Sequence, residues 1–130
     1  MAILPLDQVR AGLLTDPAIY PQNLDLGREA VLFLRMSPAA YQAASFLDDR
    51  ILTPQSDGRW LFFSELEPLM AQAQPAPAPL HFIFHSGHVG STLISRLIEN
   101  AGGTLSLREP LALRVLAAAN DDRGEAYALL

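Results

Sequence analysis

The stretch Leu80–Pro110, LHFIFHSGHVGSTLISRLIENAGGTLSLREP, decides how this chain reads. It opens on Leu80–Phe84, a short apolar run rich in Phe and Ile, the composition of a strand buried in a parallel sheet. A turn with Gly87 and Gly90 follows. Leu93, Ile94, Leu97, Ile98 and Ala101 then fall on one helical face, with Ser95, Arg96 and Glu99 elsewhere. Gly102-Gly103 stops that helix. Thr104–Leu107 reads as a second strand, and Pro110 opens a helix, LALRVLAAAN, that ends near Asn120, with Asp121 or Asp122 as the cap of another. Strand, turn, helix and strand make most of a βαβ unit. The expected fold class is therefore α/β: a partial βαβ parallel-sheet unit preceded by a small α+β module.

The turn carries the chemistry. Consecutive backbone N–H groups at a helix N-terminus converge on an anion, and the helix dipole adds to the attraction. In His85-Ser86-Gly87-His88-Val89-Gly90-Ser91-Thr92, the two glycines permit close backbone approach, and Ser91 and Thr92 add hydroxyl donors. Against the nucleotide-hydrolase pattern G-x-x-x-x-G-K-[ST], Gly90 and Thr92 fit, but His85 takes the first Gly position and Ser91 the Lys position. All nine basic residues are Arg, so no Walker lysine exists anywhere in the chain.

Gly87-His88-Val89-Gly90-Ser91-Thr92-Leu93 resembles, position by position, the 5′-phosphosulfate loop of sulfotransferases. Bacterial members of that family often carry Ser-Gly-x-x-Gly-Ser-Thr-Leu, as Ser86–Leu93 reads here. The resemblance implies that Ser86, Gly87, His88, Val89, Gly90, Ser91 and Thr92 cradle 3′-phosphoadenylyl sulfate (PAPS) as co-substrate, with no metal. The family usually has Lys or Arg where His88 stands, and His88 would stabilise the leaving phosphate as an imidazolium or a neutral N–H donor. An unperturbed imidazole, with a pKa of about 6.5, is mostly neutral at pH 7. Several sulfotransferases also place a Glu after the second strand, often in a basic-Glu-Pro run, as in Arg108-Glu109-Pro110. By resemblance Glu109 is the general base that takes the proton of a hydroxyl or amine acceptor, a small molecule or carbohydrate. The resemblance covers about 30 to 40 residues. A doubly wound domain needs about five strands. Residues 80–130 supply two, so the chain reads as part of such a protein.

Plainer readings stand beside these. The glycines fit a tight βα turn, and Ser91 and Thr92 fit helix capping. His88 fits a solvated loop position and His85 a packed strand end. Arg108 and Glu109 fit a surface pair with each other or with Arg114. Trp60, Phe62 and Phe63 fit a core better than a ligand platform.

Upstream, Ile3, Leu6, Val9, Leu13 and Leu14 approach helical spacing, and Asp16-Pro17 and Tyr20-Pro21 break it. Arg28–Met36 alternates Val31, Phe33 and Arg35 against Leu32, Leu34 and Met36, as in a strand buried on both faces. Ser37-Pro38 opens a helix expected to run to Arg50. Arg59–Phe63 reads as a strand, and Ser64 with Glu67 as the capping box of the next helix. Residues 74–79, QPAPAP, form a semi-rigid linker between a module over 1–73 and the unit over 80–130.

Composition excludes several classes. Half the residues are hydrophobic, the formal charge is −5 and Cys is absent. The acidic balance argues against a nucleic-acid or anionic-membrane binder, and no thiolate chemistry or disulfide framework is available. No apolar run reaches a membrane-span length of roughly 20 residues, and the first residues lack a signal-peptide pattern. A cytoplasmic protein is expected. An unpaired edge on the incomplete sheet would favour self-association. A nucleotide-dependent kinase or NTPase, and a non-catalytic interaction module, remain the other classes.

Overall fold

A computed structural model describes residues 2–74, 79–85 and 89–123. The chain is mixed α/β, with a four-stranded mixed sheet and five α-helices among the described residues. The sheet is built from β1 (Ala2–Ile3), β2 (Ile19–Asp25), β3 (Ala30–Arg35) and β4 (Asp57–Phe62), in the order β1-β4-β3-β2. β1 runs parallel to β4; the other two pairings are antiparallel. The helices are α1 (Leu6–Gly12), α2 (Pro38–Ala43), α3 (Phe63–Gln72), α4 (Ser91–Asn100) and α5 (Leu111–Arg123).

β3 behaves as its alternation demands. Phe33 joins Leu4, Val9, Leu13, Ile19, Leu61 and Leu66 in one core cluster, against which Val31 also packs. Leu32, Leu34 and Met36 face the opposite cluster with Tyr20, Tyr41 and Leu47. A period of two with apolar residues at every step puts a core on both faces of the sheet. Trp60 and Phe63 pack against these clusters, whereas Phe62 is half exposed and leaves the core reading.

Several local expectations shift. The first helix is shorter than residues 3–14, because Ala2 and Ile3 are drawn into the sheet beside Asp57 and Gly58. Tyr20-Pro21 does not simply end an element: it lies within β2. That strand is a sheet edge, and its pairing slips between Pro21 and Asn23. An edge position and a bulge are where a missing N–H is tolerated.

Ser37 caps α2, its Oγ accepting from the Ala40 N–H at 3.1 Å, but the helix stops at Ala43 instead of Arg50. Asp48 then caps a single 3₁₀ turn, Asp49–Ile51. The capping carboxylate of α3 is Glu65, accepting from the Phe62 N–H at 2.9 Å, so that helix begins one residue before Ser64.

The larger corrections fall downstream. Leu80–Phe84 is exposed and is not a strand, and Thr104–Leu107 is not a strand either. A strand exists by pairing, and every described sheet partner lies within residues 2–62. α4 forms where its periodicity puts it. Its end is the expected one, with Gly102 and Gly103 at φ +94° and +77° after Ala101. α5 continues through Asp121 and Asp122 to Arg123 instead of ending near Asn120. The core of the expected linker, residues 75–78, and the chain after Arg123 lie outside the described residues.

Candidate functional site around the start of α4

Of the loop residues singled out above, Ser86, Gly87 and His88 lie outside the described residues. Val89, Gly90, Ser91 and Thr92 are placed. Gly90 is the N-cap of α4 at φ +84°, ψ +16°, in the left-handed region that residues with a Cβ adopt only at a cost. Its carbonyl accepts the first helical bond, from Ile94 N–H at 3.0 Å. The N–H groups of Ser91, Thr92 and Leu93 therefore stand at the open end of the helix without an intrahelical acceptor. Among the described residues no side chain caps them. Ser91 and Thr92 are half-buried, and Ser95 donates its hydroxyl to the Thr92 carbonyl at 2.9 Å.

These groups fit a tetrahedral anion in kind: three donors at a helix N-terminus, two neighbouring hydroxyls, and a glycine whose pro-Cβ direction meets nothing within 4 Å. His81 and His85 are exposed. Among the described residues no group of three or more His, Asp or Glu is arranged to hold a metal ion.

Glu109 is also placed. It is exposed, with φ +46°, unusual for a residue bearing a Cβ. Its charge, after that of Asp48, helps hold the Arg50 guanidinium protonated. Asp48 in turn sits at about 2, chiefly because the Arg50 side chain donates to it, with Nη2 at 2.6 Å from Oδ2; Arg114 adds a weaker attraction at 3.8 Å. Glu109 thus belongs to a surface cluster of alternating charge. No hydrogen bond or ion pair joins it to Val89–Thr92.

Its neighbour Arg108 is not on the surface. The guanidinium is buried. Nη1 donates to Glu99 Oε2 at 3.0 Å, Nε to the Ala44 carbonyl at 3.0 Å, and Nη2 to the carbonyls of Tyr41 and Ala44. The Arg108 carbonyl accepts from Leu47 N–H at 2.8 Å, and the Leu47 carbonyl accepts from Leu111 N–H at 3.0 Å. This also explains the short α2: carbonyls that a longer helix would have used are taken by a side chain from residue 108.

Glu99 completes the joint, with Oε1 accepting from Ser106 N–H at 3.3 Å. It lies eight positions along α4 from Ser91, about 12 Å at the rise of a helix. The structure brings Arg108 to the far half of α4, and Glu109 makes no hydrogen bond or ion pair with the described residues at the helix start. The role of Glu99 was not legible in the sequence, where its place off the apolar face of α4 marks a solvated residue.

α4 consequently packs the opposite way from its pattern. Ser95 is buried and Glu99 nearly so, while Leu93, Ile94, Leu97 and Ile98 are 63, 46, 60 and 42% exposed. Leu80, Phe82, Ile83 and Phe84 are exposed too, the two Phe rings stacked at 6.0 Å.

Comparison with protein-family models, with curated proteins and with solved structures found no match to this chain. No helix among the described residues is long and apolar enough to cross a membrane.

Proposed function

We propose that this chain carries the anion-cradling part of a sulfotransferase-like, phosphate-loop site. Its loop would bind the 5′-phosphosulfate end of PAPS, for transfer of the sulfuryl group to a hydroxyl or amine of a small-molecule or carbohydrate acceptor. The observation that carries this reading is Gly90: a left-handed residue heading α4, followed by three N–H groups without an intrahelical acceptor and by the Ser91 and Thr92 hydroxyls. The sequence supplies the rest, through the Ser86–Leu93 pattern and the absence of Lys, which weighs against ATP hydrolysis. Within this reading His88 donates to the leaving phosphate, and Glu109 takes the acceptor proton as oxygen or nitrogen attacks sulfur in line. Such transfers depend mainly on positioning and charge stabilisation.

A second reading, a non-catalytic interaction module, is favoured by the outward apolar face of α4. Calorimetric titration with 3′-phosphoadenosine 5′-phosphate separates the two. The sulfotransferase reading expects binding by the wild type that Ser91→Ala and Gly90→Val weaken about tenfold or more. A wild type that binds no 3′-phosphoadenosine 5′-phosphate would sink it. Tighter binding of ATP-Mg would move the chain to the kinase and NTPase class.

A further inference from the structure

A cavity of about 670 Å³ lies between α1 and α3, within the range of about 300–1,000 Å³ of small-molecule sites. Leu6, Leu13 and Leu69 line it, and they belong to the first core cluster or pack against it, so the fold fixes this apolar floor. Glu65, Leu69 and Gln72 line it from α3 at i, i+4 and i+7, one face of a helix over about 10 Å.

Two opposite charges stand in this lining, Arg10 from the last turn of α1 and Glu65 from the first turn of α3. They do not pair. The ion pairs among the described residues join Arg35 to Asp57, Arg50 and Arg114 to Asp48, and Arg108 to Glu99. Glu65 commits one oxygen, Oε2, to the Phe62 N–H. Its Oε1 and the Arg10 guanidinium are left to a ligand.

We propose that this cavity binds a short apolar peptide with free ends, a dipeptide or tripeptide. At neutral pH such a peptide carries one carboxylate and one ammonium. Arg10 takes the carboxylate with its planar fork of donors. Glu65 Oε1 accepts from the ammonium, Gln72 supplies an amide for the peptide group, and apolar side chains cover the three leucines. A ligand with a single charge fits worse: a simple carboxylate leaves Glu65 unanswered, and a simple amine leaves Arg10 so. Length agrees, since an extended chain advances about 3.3–3.6 Å per residue and two or three residues match the face of α3. The inference goes beyond the sulfuryl-transfer reading and does not depend on it.

Calorimetric titration of the full chain with Leu-Leu, acetyl-Leu-Leu and Leu-Leu-amide tests it. The wild type is expected to bind Leu-Leu with a dissociation constant below about 1 mM. Arg10→Gln should weaken Leu-Leu about tenfold, but should not weaken Leu-Leu-amide, which lacks the carboxylate. Glu65→Gln, which keeps an acceptor for the helix cap, should likewise weaken Leu-Leu and spare acetyl-Leu-Leu. Both residues are exposed, so neither change should alter circular dichroism. Arg96→Gln, exposed on α4, should leave binding unchanged. No binding of Leu-Leu up to about 10 mM, or losses that do not follow the blocked ends, would overturn the proposal. So would hexanoate or free leucine binding as tightly as Leu-Leu.

Discussion

Arg108 Nη1 stands 3.0 Å from Glu99 Oε2, with the two side chains 5% and 10% exposed, and this pair ties α4 to the guanidinium that also holds the end of α2. Removing one partner of a buried, hydrogen-bonded pair strands the other charge and costs about 3–5 kcal/mol. Arg108→Met should therefore lower the free energy of unfolding by about that amount, measured by urea titration. It should also expose amides of α4 to hydrogen exchange. An effect below about 1 kcal/mol, the range of a surface pair, would show that the joint contributes little.

Two glycines are required for different reasons. A Cβ on Gly12 would lie 2.5 Å from Ile19 Cγ1, inside the core cluster, so Gly12→Ala should destabilise despite the better helix propensity of Ala. A Cβ on Gly90 meets nothing within 4 Å, and only the backbone resists, so Gly90→Ala should cost about 1–2 kcal/mol. Replacing Gly90 by Asn should recover part of that loss, whereas Gly12→Asn should be worse than Gly12→Ala. Thermal denaturation of the four variants reads both patterns.

Tyr20 and Tyr41 meet edge to face at 5.7 Å, and burial pushes both phenols well above their ordinary value of 10. Their hydroxyls donate to the carbonyls of Leu47 and Pro17. Below pH 10 both are protonated folded or unfolded, and their contribution is fully present. Above it the unfolded chain loses protons that the folded chain keeps, so stability falls as pH rises. The slope is about 1.4 kcal/mol per pH unit for each phenol. Tyr41→Phe should halve that alkaline slope, as followed by denaturation between pH 9 and about pH 11.

Asp48 responds at the other end of the scale. Its carboxyl is held down at about 2, first by the hydrogen bond from Arg50, so its contribution is present above the unfolded value near 3.8. That contribution is lost as pH falls toward 2. Arg50→Gln should move the Asp48 carboxyl resonance back toward an ordinary titration midpoint in an NMR pH series, and no movement would show that Arg50 is not the cause.

Leu61 is 1% exposed at the centre of the first cluster. Leu61→Ala should cost about 2–5 kcal/mol, read by calorimetry, whereas Leu93→Ala, at an exposed position, should cost well under about 1 kcal/mol.

The elements that could be read directly are those whose signal is local. The Val31–Met36 alternation, the Ser37 cap, and the stripe and glycine stop of α4 each involve residues a few positions apart, and each appears where periodicity and capping chemistry put it. β2 was hidden because Pro21 argues against regular structure unless the strand is known to be an edge, which depends on its neighbours. The loop residues Val89–Thr92 were likewise legible, since a glycine before paired hydroxyl residues at a helix start is a local pattern. Their relation to Glu109 was not.

The sequence alone therefore determined that a helix would start at Ser91, with one apolar side and a glycine at its head. Only the tertiary structure decided which side of that helix is buried, that Leu80–Phe84 stays unpaired, and that Arg108 reaches back to end α2. Strand pairing and burial are set by contacts between distant segments. The Arg108 guanidinium, satisfied by Glu99 nine residues before it and by the carbonyls of Tyr41 and Ala44 more than sixty residues away, holds the polar side of α4 inward against the local preference of that helix to bury its leucines.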